Sequence, residues 1–93
     1  MATDPEAQAQ LARLLRDETL RHASPMELRG AVDAGLALVV EGLVAEASAS
    51  DDVQDRDSAL SFVKLRLESL RSVLTEPQAS RLFEAVRAKI EAW

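Results

Sequence analysis

Histidine, cysteine and paired acids are the usual carriers of chemistry, and this chain of 93 residues has few of them. His22 is its only histidine, and cysteine is absent, which removes a thiol nucleophile, a disulfide framework and a cysteine zinc site. A metal on His22 would rest on carboxylates alone, because no H-x-x-x-H or E-x-x-H spacing places two ligands on one helix face. The position near the end of a helical segment suits a cation facing the helix dipole instead. Asp51, Asp52, Asp55 and Asp57 invite a calcium reading. An EF-hand loop begun at Asp55 would place Ala59 and Leu60 where a ligand and a glycine belong, so helix-start acids account for the run better. Arg66, Glu41 and Asp33 are the only charged residues that lean toward apolar faces. No glycine-rich phosphate loop and no Ser/His/Asp set can be assembled around them. No cofactor and no metal is expected, and a small all-α enzyme ranks last among the functional classes.

Two short strings resemble known families. Asp57-Ser58 followed by Leu60 is similar to the Asp-Ser-Leu phosphopantetheine site of acyl carrier proteins, with Ala59 inserted and no preceding glycine. Met26-Glu27-Leu28-Arg29 resembles the His-Glu-Leu-Arg signature of histidine-kinase dimerisation helices. MELRGA is likewise similar to the H-x-L-K-G start of histidine phosphotransfer domains. In both, Met26 stands where the phosphorylated histidine belongs. The first likeness implies a carrier modified at Ser58, and the second a helical dimer without phosphotransfer.

The elements that must position these residues are helices. TDPE, SPME and TEPQ each place Ser or Thr three residues ahead of Glu or Gln, with proline in the first turn. In that pattern the hydroxyl accepts from the third helical N–H and the acid or amide returns the bond. A fourth start lies at Asp51 or Asp52. The spacing predicts helices at about 4–22, 25–48, 53–74 and 76–93. No segment alternates like a strand. The expected fold is all-α: a single domain over 1–93, a compact four-helix bundle built on an antiparallel hairpin of helices 2 and 3.

The apolar stripes propose how these helices meet. Ala7, Leu11, Leu14 and Leu15 face inward on helix 1. Ala79, Leu82, Phe83, Val86, Ile90 and Trp93 do so on helix 4. Helix 2 carries two stripes, Leu28, Val32, Leu36, Val39, Leu43 and the smaller Ala31, Gly35, Leu38, Gly42, Ala45, widened by Val40 and Val44. Its apolar run is about a dozen residues and contains Glu41, where a membrane span takes roughly 20. Helix 3 repeats Leu60, Val63, Leu67, Leu70 and Leu74. Folding helices 2 and 3 together about Asp51 sets Gly35 opposite Leu67, Gly42 opposite Leu60, and Glu46 opposite Arg56.

The other side of helix 3 is free of charge. Ser58, Ser61, Ser69 and Ser72 surround Leu65, with Phe62 at the border. Small polar residues around an apolar anchor suit either a protein contact surface or a face covered by helix 1 or helix 4 of the same chain. Arg66 beside them either snorkels to the rim or forms an ion pair at an interface. The wide apolar arc of helix 2 adds Val40 and Val44 to the interface candidates.

A net charge of −5 without a basic stripe argues against nucleic acid or an anionic membrane as ligand. The N-terminal MATDPEAQAQ lacks the regions of a signal peptide, so a cytoplasmic protein is expected. The alanine, leucine and arginine bias suggests a bacterial gene. The leading expectation is a non-enzymatic interaction module, a small adaptor, chaperone-like subunit or regulator that forms a homodimer or binds a partner protein helix. The alternative is a signalling or carrier bundle with His22 or Ser58 as acceptor.

Overall fold

A computed structural model describes residues 4–93. They form five α-helices: α1 (Pro5–Leu14), α2 (Pro25–Ala34), α3 (Leu36–Ala49), α4 (Arg56–Ser69) and α5 (Glu76–Glu91). A 3₁₀ turn, Glu18–His22, joins α1 to α2. α3, α4 and α5 pack on one another, while α1 and α2 close over α3. The all-α class expected from the sequence is observed, with five helices in place of a four-helix bundle.

Local chemistry explains the helix starts. Ser24 Oγ accepts the Glu27 N–H at 3.3 Å, and Glu27 Oε1 accepts the Ser24 N–H at 3.4 Å. Thr75 and Gln78 make the same reciprocal pair at 3.3 and 3.2 Å. These are the two expected capping boxes. The third falls on Thr3, outside the described residues; here Asp4 caps α1 by accepting the Glu6 N–H at 3.0 Å. The fourth start is capped by Asp55, not Asp51 or Asp52, and so begins three residues later than expected.

Two expected helices are each broken. The first does not run to His22. It closes at Leu15 in a Schellman turn, with the Asp17 N–H on Ala12 O at 3.3 Å and the Arg16 N–H on Arg13 O at 2.9 Å. Arg16 takes the left-handed position of that turn at φ 56°, where glycine is usual. Asp17 then caps the 3₁₀ turn through the Thr19 N–H at 3.0 Å and hydroxyl at 2.7 Å. The second break is at Gly35, which ends α2 and starts α3. Its N–H still reaches Ala31 O at 2.7 Å, and its carbonyl accepts from Leu38 and Val39 at 3.0 and 3.2 Å.

The glycines of the second stripe are holes, but for a different helix. A Cβ on Gly42 would stand 2.9 Å from Leu14 Cδ2 and 3.1 Å from the Leu14 carbonyl oxygen. A Cβ on Gly35 would stand 3.4 Å from Leu15 Cδ2. Consecutive leucines at the end of α1 therefore fill the places assigned above to Leu60 and Leu67. Glu46 likewise meets Arg66 at 2.9 Å and not Arg56, whose guanidinium donates to the Trp93 carbonyl.

The core follows most of the sequence stripes, although Leu38 of the second stripe is 45% exposed. Leu11, Leu28, Val32, Val39, Leu43, Val63, Leu70, Leu82, Val86 and Ile90 are fully buried. Trp93 departs from its stripe and is 44% exposed beyond the end of α5. Leu70, Val73 and Leu74 lie in the tight turn between α4 and α5, outside any α-helix, and are buried all the same. A polar clasp ties α2 to α5. Gln78, 4% exposed, donates to Arg29 O at 2.8 Å and Asp33 Oδ1 at 3.0 Å. Arg29 Nε donates to Val73 O at 2.7 Å, and Arg81 pairs with Asp33 at 3.1 Å. The clasp satisfies buried amide and carbonyl groups that would otherwise cost about 1–3 kcal/mol each.

Gly42→Ala should be destabilising by about 1–3 kcal/mol in urea unfolding, since the obstructing Leu14 atoms include backbone. Gly30, with nothing within 4 Å of its would-be Cβ, is the control: Gly30→Ala should gain about 0.5–1 kcal/mol. Arg16→Gly should raise stability by about 1 kcal/mol, by relieving a left-handed residue that carries a Cβ.

Candidate interaction surface

The charge-free strip survives folding as the outer face of α4. Ala59, Val63 and Leu67 turn inward, so the helical period turns Ser61 and Leu65 outward. Leu65 is 73% exposed. Phe62 lies at the edge, half-buried against the core. Ser58, Ser61, Phe62 and Leu65 line a groove of about 480 Å³ together with Asp52, Val53, Asp55 and Asp57.

The remaining candidates separate. Ser69 is exposed at the end of α4, with its hydroxyl on Arg66 O at 2.7 Å and 3.5 Å from Gln10 Oε1. Ser72 is exposed in the turn after α4, off the helix face. Val40 is 3% exposed and belongs to the core, and Val44 packs against that core. The wide apolar arc of helix 2 is thus largely covered from within the chain, and a partner could not reach Val40 without opening the core. Val53 and the three acids of the groove were not foreseen as part of a surface. An isolated valine within an acidic run was the available signal.

Arg66 borders the strip opposite the groove. Its guanidinium lies 5.1 Å from the centre of the Phe62 ring and its Nε 2.9 Å from Glu46 Oε1. That N–H is buried and not aimed at the carboxylate, so the contact is an ion pair without a well-formed hydrogen bond. The pair closes within the chain, between α3 and α4. The ring stack and the ion pair hold Phe62 in place beside Leu65.

At the groove's other end, Asp55 accepts the Ser58 backbone N–H at 2.7 Å. That bond, then the Ser58 hydroxyl, holds the Asp55 carboxyl below the ordinary carboxylate range. His22 is exposed at the end of the 3₁₀ turn. Among the described residues no three His, Asp or Glu side chains converge as metal ligands, and no helix is long and apolar enough to cross a membrane.

No protein-family model matches the chain, and neither curated proteins nor solved structures yield a significant match.

A carboxylate with a depressed pKa stabilises the fold above its unfolded pKa and loses that contribution as pH falls through the folded value. Asp55→Ala should therefore lower the melting temperature at neutral pH. The gap from the wild type should close on acidification below about pH 4, where the unfolded carboxyl is already protonated.

Proposed function

We propose that the protein is a non-enzymatic interaction module that binds another polypeptide through the outer face of α4. The observation that carries this reading is Leu65, projecting beside Phe62 over a groove of about 480 Å³ and flanked by Ser58 and Ser61. Water gains nothing from solvating such a side chain, and burying a leucine is worth about 1.5–3 kcal/mol. The serines add hydrogen-bonding groups without the desolvation cost of charges, as suits the centre of a contact.

Support comes from what surrounds the face. The ion pair Arg66–Glu46 and the Phe62 stack hold its edge, so a partner meets a preformed surface. Val40 and Val44 of α3 are taken up by the core, and Leu65 on α4 is more exposed than Leu38 on α3, 73% against 45%.

A photoreactive phenylalanine analogue at position 61, irradiated in the native host, should give a covalent adduct with a protein. The same residue combined with Leu65→Ser should give none, while stability stays within about 0.5 kcal/mol, as for a surface site. An adduct that persists at full yield without Leu65, or no adduct at all, would contradict the reading.

A further inference from the structure

We infer that the polypeptide on the α4 face is a second copy of this chain, packed about a two-fold axis near Leu65. The inference rests on the interaction reading above and adds the partner. A two-fold contact must be complementary to itself: whatever stands at one end of the face meets whatever stands at the other.

The face has such ends. At the start of α4, Asp52, Asp55 and Asp57 line the groove, with no basic residue among its walls. At the finish of α4 the strip runs through Ser69, 3.5 Å from Gln10, and through the Arg66–Glu46 pair. Gln10 and Glu46 are also walls of a neighbouring concavity of about 350 Å³ that carries Arg13 and Arg16. The two ends lie about 18 Å apart along α4, from Asp57 to Ser69, at the ordinary helical rise.

Arg13 and Arg16 are singled out by what the other arginines do. Arg21, Arg66, Arg71, Arg81 and Arg87 sit in ion pairs. Arg29 and Arg56 donate to the carbonyls of Val73 and Trp93. Arg13 and Arg16, both exposed, have no such partner among the described residues. Arg16 in addition occupies a left-handed position where glycine would cost less. A chain with surplus acid at one end of a face and unspent base at the other can satisfy both by meeting its own copy head to foot. Phe62 and Leu65 then share the centre, and the small serines let the two α4 helices approach closely.

Sedimentation equilibrium of the full chain tests this from micromolar to millimolar concentration. The wild type should reach the mass of two copies and no more, and added salt should weaken the association. Asp52→Lys/Asp57→Lys and Arg13→Glu/Arg16→Glu should each weaken self-association about tenfold or more. Mixed in equal amounts they should recover a dimer, because one carries base at both ends and the other acid. That recovery also shows that both variants are folded. A monomeric wild type, masses beyond two copies, unaffected variants, or a mixture that stays monomeric would each overturn the two-fold pairing. If the wild type is monomeric while the position-61 crosslinker captures a different protein in a Leu65-dependent way, the dimer fails and the interaction reading stands.

Discussion

The close approach of α1 to α3 is the constraint on which much of this fold depends. Gly42 leaves a hollow on α3, and Leu14 enters it until even its backbone carbonyl is in contact. About two turns away Leu15 reaches Gly35. Two adjacent leucines cannot both enter α2–α3 unless the end of α1 lies almost flush on that surface. The chain then leaves the contact through a left-handed residue and a 3₁₀ turn, and α2 and α3 hinge at the glycine that Leu15 touches. A β-carbon on Gly42 would lift α1 away and weaken all three features together.

That arrangement decides which surfaces remain for use. α3 is taken up by α1, α2, α4 and α5, so Val40 and Val44 are spent on the core. α4 packs against α3 and α5 and leaves Ser61 and Leu65 exposed on its far side, with Gln10 of α1 lying 3.5 Å from Ser69 at its end. The exposed strip is what remains when a small chain spends its apolar stripes on one core. Leu65 is not needed to fill that core and stays 73% exposed.

Several features were legible before folding. The caps at Ser24 and Thr75 were, because each is a local exchange of hydrogen bonds within four residues. The buried sides of α1, α4 and α5 were, because a helix must hide its apolar stripe somewhere. The Ser/Leu65 strip was visible for the converse reason, as a face with neither charge nor a stripe to bury. The break after Leu14 was not. Arg16 has no special liking for a left-handed backbone, and only the seating of Leu14 and Leu15 makes that turn favourable. Leu20, which within an unbroken helix over 4–22 would stand off the stripe of Ala7, Leu11, Leu14 and Leu15, was its one trace in the sequence.

The sequence by itself determined the helical class, where α2 and α5 begin, and the face of α4 that carries Leu65. These depend on period and on short-range hydrogen bonds, which the chain specifies residue by residue. Tertiary structure alone decided which knobs fill Gly35 and Gly42, that Glu46 meets Arg66, and that acids from the loop before α4 join Leu65 in one groove. Apolar contacts carry no address: a hole beside a leucine is satisfied by any leucine that arrives. Only the simultaneous packing of all five helices selected Leu14 over Leu60.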